Sequence, residues 1–419
     1  MDEKTVFGLA LGLPGTPWQV KEVQFDLEKR RLDIHLDFPP GSRFIHPRTG
    51  KPAPVYDTLE QTWRHLNFFQ YECYVHAFVP RMDDDSGVNL AEVPWARPQS
   101  GFTLLMEALV VMLARTGMSV AEAARVIGEY PQRLWLILEK QVAKARAAQR
   151  LEGVTSLSVD EVSRAKGHEY LTILSQPKTE QTPARVLAVA EGREAAAVAE
   201  AQRPLTKRGL NPLAVEQVCQ DMSAAYLKGT KEAYPNAEII FDCFHIVQLA
   251  TRAVDEVRRR ERKQFPQELK HARWLLLKGF EKLQEEEKSR LRALRISHLQ
   301  TGKAYNLLDG LRWILQMKSA EEAERELFWW CQWASRSRIK EMVKVSRTLR
   351  DHWAGVTAYL WTKITNGAAE ALNGIIQTVK RKARGFKTVK NFAIMIYLVA
   401  GRLHFELPSP VPITHTTSS

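Results

Sequence analysis

Cysteine is scarce in this sequence. The 419 residues hold four, Cys73, Cys219, Cys243 and Cys331, and none forms a C-x-x-C pair. That excludes a disulfide scaffold and fits a reducing cytoplasm. Long apolar runs are missing too: mean hydropathy is −0.30, and no stretch is long enough to span a bilayer. The opening Met1-Asp2-Glu3-Lys4 lacks the basic-then-apolar pattern of a secretory signal. A cytoplasmic protein with no membrane association is therefore expected. Repeats and low-complexity tracts are also absent. Apolar residues at 45% and charged residues at 26% exclude a disordered chain or a collagen. At roughly 100–200 residues per domain, the length predicts two to four domains.

Charge is what the sequence has in excess. Lys plus Arg number 60 and Asp plus Glu 48, a net +12. Such a surface concentrates polyanions and is the first mark of a nucleic-acid-binding protein. A generally basic cytosolic protein is the alternative.

The first hundred residues read as loop-rich with short strands. Val23–Leu27 and Arg31–Leu36 alternate apolar and polar residues around Glu28-Lys29-Arg30, a β-hairpin pattern. A second strand pair is expected within Thr62–Leu66 and Tyr71–Val79. Asp83-Asp84-Asp85-Ser86-Gly87 reads as a polar turn and Pro94-Trp95-Ala96-Arg97-Pro98 as a linker.

From Phe102 the period becomes helical. Leu104, Leu105, Ala108, Leu109 and Met112 form an apolar stripe. Ser119-Val120-Ala121-Glu122 is a capping box, Gly128 suits a helix end, and Pro131 suits a helix start. A short helix, a Gly-containing turn and a longer helix make a helix-turn-helix pattern. In such units the start of the second helix meets base edges, and here it carries Gln132 and Arg133. Three simply packed helices remain the alternative.

Beyond residue 150, strands are expected at Ser156–Glu161, Tyr170–Ser175 and Arg185–Ala190, then at Val215–Asp221 and Ala237–Asp242, with helices between the later ones. This predicts a mixed sheet covered by helices. From His245 to about Trp361 the pattern is helical and highly charged. Trp274, Trp313, Trp329, Trp330, Trp333 and Trp353 are expected in its core, with the charged faces solvated. A final helix is expected from Asn366, and the tail from Pro408 reads as frayed.

Three acids stand apart. Asp160 and Asp221 end predicted strands, and Glu370 lies in the first turns of the last helix. On that helix Leu372, Ile375, Ile376, Val379 and Ala383 form an apolar stripe. Glu370, Asn373, Gln377, Lys380 and Arg384 form a polar one. A carboxylate sharing a face with cations suits a helix beside a phosphate backbone, although such stripes are commonly just solvated. Phosphodiester hydrolysis by two metal ions needs cations about 3.5–4 Å apart, and Mg²⁺ prefers carboxylate oxygens. Spacing alone does not select three acids from 48. Asp242, with His245 three residues on, competes with Asp221 for the metal or supports the site from behind it. His245 also reads as an ordinary core histidine.

Several stretches jointly match a known family. They include Trp63-Arg64-His65-Leu66-Asn67-Phe68-Phe69, Val93-Pro94-Trp95-Ala96-Arg97-Pro98, Val159-Asp160-Glu161 and Lys166-Gly167-His168-Glu169-Tyr170. Asp221-Met222-Ser223-Ala224-Ala225-Tyr226, Phe241-Asp242-Cys243-Phe244-His245, Thr365-Asn366-Gly367 and Lys380-Arg381-Lys382-Ala383-Arg384-Gly385-Phe386 follow. On these, the chain resembles the DDE transposases of the insertion-sequence family written ISL-three, over almost its whole length.

The resemblance implies an α/β fold: a ribonuclease-H-like mixed sheet with helices on both faces, interrupted by a helical insertion. It implies Asp160, Asp221 and Glu370 as a triad holding Mg²⁺ or Mn²⁺; Asp242, His245 and Asn373 are expected behind these. Lys380, Arg381 and Arg384 join Gln132 and Arg133 as the expected DNA contacts. The implied reaction is hydrolysis at transposon ends, then attack of the freed 3′ hydroxyl on target DNA. The partners are then double-stranded DNA and, for pairing of ends, a homodimer or larger assembly. The location is the bacterial cytoplasm, at the nucleoid.

The expected division is a β-rich module at 1–100, a helix-turn-helix domain at 101–150 and the first part of the catalytic domain at 151–248. The helical insertion at 249–360, the final catalytic helix at 361–407 and a tail at 408–419 complete it. One departure matters. The family's N-terminal zinc module is built on Cys pairs, whereas His46-Pro47-Arg48-Thr49-Gly50 and the stretch from Arg81 to Val93 hold none. The N-terminal module is thus expected to be degenerate and to lack zinc. A decayed or repurposed DNA-binding protein, or a nuclease acting outside transposition, are the competing readings.

Overall fold

The computed structural model describes residues 2–410 apart from 85, 86, 166, 168, 181, 279, 281 and 282. The chain forms two compact units, Met1–Gln149 with Thr378–Ser419, and Arg150–Gln377.

The first unit opens with α1 (Glu3–Ala10), which the sequence reading missed. Asp2 caps it by accepting the Thr5 amide at 2.9 Å. Its eight residues bury none of their side chains, so no apolar stripe announces it. A sheet follows from β1 (Gln19–Asp26) and β2 (Arg31–Asp37). A small pair, β3 (Phe44–Ile45) and β4 (Pro52–Ala53), precedes β5 (Asp57–Phe68), β6 (Tyr71–Asp84) and β7 (Gly87–Leu90). The expected β1–β2 hairpin forms, with Val23 opposite Ile34. The β5–β6 pair also forms, with Trp63 opposite Val75, but these strands run 12 and 14 residues, so the module is not a set of short strands. Asp84 pairs with Gly87 across the expected polar turn, whose Asp85 and Ser86 lie outside the described residues.

Pro94–Pro98 is not a linker. Trp95 is buried and meets Trp18 and Trp63 edge-on, with ring centroids 4.9 and 5.5 Å apart. An indole in a core is worth more than a flexible joint, and prolines flanking it only fix the loop that delivers it.

The helix-turn-helix comprises α2 (Leu104–Arg115), α3 (Val120–Ile127) and α4 (Pro131–Ala148). The Ser119–Glu122 capping box is present, and Gly128 ends α3 with φ 83°, a left-handed conformation that suits glycine.

The second unit contains β8 (Ser156–Ala165), β9 (Glu169–Gln176), β10 (Arg185–Glu191), α5 (Ala195–Thr206), β11 (Gln217–Gln220), α6 (Ala224–Ala233) and β12 (Glu238–Phe241). The strand order is β10-β9-β8-β11-β12. The first three strands form an antiparallel meander, and β11 runs parallel to both β8 and β12. Leu157, Val159, Leu187 and Val218 pack with Val198, Leu205 and Tyr226 of α5 and α6 on one face. On the other, Cys219 and Ile240 join the core of a helical block. That block is α7 (Cys243–Glu261), α8 (Ala272–Leu277), α9 (Glu285–Ile296), α10 (Gln300–Gln316), α11 (Ala320–Arg336), α12 (Lys340–Asp351) and α13 (Trp353–Thr362).

Two expectations are corrected here. The first strand does not end on its carboxylates: β8 stays paired with β9 out to Ala165, while its pairing with β11 stops at Ser158. The tryptophans are not mainly core. Trp330 is buried and Trp353 partly so, but Trp274, Trp313, Trp329 and Trp333 are half or more exposed. Leu, Ala and Val fill the interior of the block instead.

Helix α14 (Gly367–Lys382) crosses the boundary at Gln377, and α15 (Val389–Ala400) completes the first unit. The segment 361–407, read as one piece, is therefore shared between the units. On α14, Leu372, Ile376 and Val379 are buried, whereas Ile375 is exposed. Arg384 lies past the helix end with φ 55°. On α2 the buried apolar side chains are Met106, Ala108, Val110, Val111 and Ala114, so only Ala108 of the predicted stripe is buried. This helix packs against α4, α15 and β5, so it is apolar around most of its girth and periodicity misplaces its deepest face.

Candidate functional site

Register brings three aspartates into line. Cys219 on β11 pairs with Ser158 on β8 and with Ile240 on β12. Two residues further along each strand path stand Asp160, Asp221 and Asp242. Side chains two apart share a face, so the three lie on one face where the parallel pairing of β8, β11 and β12 stops, with β11 and β12 ending there and β8 running on beside β9. Ligand sites of open α/β sheets form at that end. Each acid leads somewhere different: Asp160 continues along β8, Asp221 accepts the Ser223 amide at 2.9 Å ahead of α6, and Asp242 caps α7 by accepting the Phe244 amide.

Helix α14 lies across this row. The Asn373 side-chain amide donates to Asp160 Oδ2 at 2.7 Å, and the Asn366 backbone amide, just ahead of the helix, donates to Asp242 Oδ1 at 3.4 Å. Seven residues of helix span about 10.5 Å, and two strand spacings span about 9.6 Å, so one helix face bridges the two outer strands. Glu370 sits on that face, between the two asparagines.

The site is short of positive charge. Burial pushes the Asp160 carboxyl up to about 6, with Asp221 and Glu161 adding repulsion against the pull of the Glu161 amide and His245. Burial also raises Glu161, and Asp221 adds to it. Glu370 is raised by desolvation and then by Asp242, again opposed by His245. His245 thus faces both the Asp160 and the Glu370 sides of the cluster. Asp242 is 1% exposed, and its Oδ2 has no hydrogen-bond partner among the described residues; the same holds for both side-chain polar atoms of buried Asn366. Asn366 was missed as a site residue, because an asparagine before a helix reads as a cap. Among the described residues, no three His, Cys, Asp or Glu side chains are grouped so as to hold a metal ion.

The expected DNA contacts lie in the first unit. Gln132 is exposed at the start of α4. Arg133 is engaged: its Nη1 donates to Glu129 Oε2 at 2.7 Å, and its guanidinium lies 4.3 Å from the Phe102 ring centre. Glu129 also faces buried Arg64, whose Nε is 3.7 Å from Oε1 and has no hydrogen-bond partner among the described residues. The rest of the Arg64 fork is held by the carbonyls of His65, Cys73 and Ile127, tying the N-terminal sheet to the end of α3. Lys380 and exposed Arg381 lie in the last turns of α14, and exposed Arg384 follows them. This basic segment lies beside the helix-turn-helix. Val379 packs close to Gly117, between α2 and α3, and Phe386 meets Trp135 of α4 with ring centres 6.4 Å apart. Cys73 is buried in the N-terminal sheet, which pushes its thiol up to about 12. Lys166 and His168, two residues of the family-like motifs, lie outside the described residues. Among the described residues no helix is long and apolar enough to cross a membrane.

Comparison with known proteins gives the same direction. Residues 157–396 match a family described as transposase, and residues 91–142 match the helix-turn-helix domain of transposase family ISL3. The chain is 26% identical over 378 residues to the transposase for insertion sequence element IS1557 of Mycobacterium tuberculosis, covering 81% of this chain and 82% of that protein. It is 26% identical over 386 residues to the transposase for insertion sequence element IS1001 of Bordetella parapertussis, covering 88% and 91%. The chain belongs to the ISL3 family of transposases and carries that family's helix-turn-helix DNA-binding domain.

Proposed function

We propose that this transposase cleaves the ends of its element and joins them to target DNA at Asp160, Asp221 and Glu370, using Mg²⁺ or Mn²⁺. The observation that carries the reading is the row of aspartates where parallel pairing stops, bridged by the helix that bears Glu370. The strand order, a meander followed by two parallel strands, supports a ribonuclease-H-like catalytic domain with the helices of 249–360 inserted before its last helix.

The donors suit a hard divalent cation. They are carboxylate oxygens, one of them raised to about 6 by burial despite the pull of His245. A bound pair of such ions would activate the attacking oxygen and stabilise the leaving one. The chain's own groups set the frame. Asn373 orients Asp160 by hydrogen bonding, Asp242 fixes the start of α14 through the Asn366 amide, and His245 offsets negative charge on both sides.

Gln132 and Arg133 read base edges of the terminal repeats, and Lys380, Arg381 and Arg384 hold phosphates. Pairing of two ends requires a homodimer or larger assembly, acting in the cytoplasm at the nucleoid. The test is cleavage of terminal-repeat duplex DNA with and without Mg²⁺, in parallel with end binding. Asp160→Asn, Asp221→Asn and Glu370→Gln should each abolish cleavage and keep binding. A variant that still cuts removes its residue from the site.

A further inference from the structure

The helical block carries a feature that the cleavage chemistry does not use. Residues 249–360 hold 24 Lys and Arg against 15 Asp and Glu, so about a quarter of the chain supplies +9 of its +12 net charge. Within the block lies an open groove of about 980 Å³ between α7, α9, α10 and α11. Trp313 and Trp333 line it while 59% and 50% exposed, and Ile296 on its rim is 88% exposed. Arg295 and Arg312 line it too. Phe280, a further wall, is approached by the Arg292 guanidinium at 5.6 Å from its ring centre.

Aromatic side chains left this open are costly unless something covers them. Their setting says what. Arginines beside indole rings in a strongly basic block suit a polyanion that also offers flat apolar faces. A nucleic acid strand has both, with phosphates for the guanidinium groups and bases for the indoles. Duplex DNA does not qualify, because its bases are already stacked on each other. The ligand must have bases free of the stack. Gln316 adds a side-chain amide able to bond a base edge, whereas Asn306 is taken up by Arg295, which also pairs with Asp309 on the groove wall at 2.9 Å, leaving Arg312 as the cation for phosphate.

We infer that this groove binds unpaired DNA, with Trp313 and Trp333 stacking on bases and Arg312 engaging the backbone. The inference rests on the chain's being a transposase and is independent of which acids hold metal.

The test uses the full-length protein and two fluorescein-labelled probes: a 15-nucleotide oligo(dT), and the same strand annealed to oligo(dA). Stacking is worth about 1–3 kcal/mol per base, so the double variant W313A/W333A should bind oligo(dT) at least about tenfold more weakly. Its duplex affinity should be unchanged, and Trp313→Phe should keep most of the single-strand affinity. If the variant is poorly folded, ultraviolet crosslinking of wild-type protein to a bromodeoxyuridine-substituted strand decides instead. The expected adducts lie in the peptides of α10 and α11. Unchanged oligo(dT) affinity, an equal loss on both probes, or crosslinks confined to other helices would overturn the inference. So would a change in sedimentation alone, which would mark the groove as a protein interface. Metal-dependent cleavage of duplex ends is scored separately, so failure here and failure of the triad are distinguishable.

Discussion

The Asn373 side-chain amide donates to Asp160 Oδ2 at 2.7 Å across 213 residues of sequence. It is the side-chain bond between the helix bearing Glu370 and the strand bearing the first aspartate. Partners that orient a metal-ligating group typically matter 10–100-fold, so Asn373→Ala should lower the cleavage rate by about that factor. End binding should stay intact, since the DNA-reading helices belong to the other unit. Asn373→Asp should be worse, because it sets a second carboxylate against Asp160. Equal rates for Asn373→Ala and wild type at saturating Mg²⁺ would show that the bond does not orient Asp160.

Asp160 gives a signed pH dependence. Its folded carboxyl is raised to about 6 by burial, against an ordinary value near 3.9. The folded state therefore holds the proton more tightly than the unfolded one. Stability from this group is present at low pH and is lost as pH rises through about 4 to 6. Without metal, the buried charge at pH 7 costs up to about 3 kcal/mol. Metal-free Asp160→Asn should then melt several degrees above wild type at pH 7.5, with the gap closing by pH 4. A gap that does not vary with pH would contradict this. Mn²⁺ affinity of the wild type should likewise fall as pH drops below 6, because proton and ion compete for the same oxygen.

Glu129 is shared by two arginines, and this predicts a gain of function. Removing its charge by Glu129→Gln frees Arg133 from its ion pair. Affinity for random-sequence duplex should rise, and its salt dependence should steepen by about one phosphate equivalent. The preference for terminal repeats over random DNA should shrink. The variant should also be less stable by about 3–5 kcal/mol, because buried Arg64 loses its counter-charge. Unaltered salt dependence would mean that Arg133 does not reach DNA.

Gly355 tests the packing that carries Asp242. A Cβ at this position would come within 2.5 Å of the Phe241 ring and 3.0 Å of the Ile239 carbonyl oxygen. Gly355→Ala should cost about 1–3 kcal/mol by overpacking and shift β12, whose next residue is Asp242. Thermal melting and metal-dependent cleavage should fall together. Unchanged melting would mean that α13 moves aside freely.

Much of this was legible in the sequence. Period-two alternation located β1 and β2, the Ser119–Glu122 box and Gly128 bounded α3, and the strands ahead of Asp221 and Asp242 emerged from short apolar runs. Local patterns reach that far because caps and alternation act over three or four residues. What they miss depends on distant partners. Asp160 looked like a strand end, yet β8 continues, because β9 stays paired with it after β11 has left. Trp95 looked like linker, since its neighbours are prolines and its partners, Trp18 and Trp63, lie far away in sequence. Trp313 and Trp333 looked like core, since apolar type does not say which side of a helix faces solvent. The role of Asn366 is invisible locally, because its partner is the capping aspartate of another helix. The triad is what the family resemblance implies; no local pattern marks Asp160 and Asp221 as continuations of paired strands, because β8 and β11 lie about sixty residues apart in sequence.

The most direct test is Mg²⁺-dependent cleavage of duplex DNA carrying the element's own terminal repeats, comparing wild type with Asp160→Asn, Asp221→Asn and Glu370→Gln. The account predicts cutting by the wild type only with the ion, and no cutting by any variant despite normal end binding. Cutting that persists in one of these variants, or that needs no divalent ion, would contradict it.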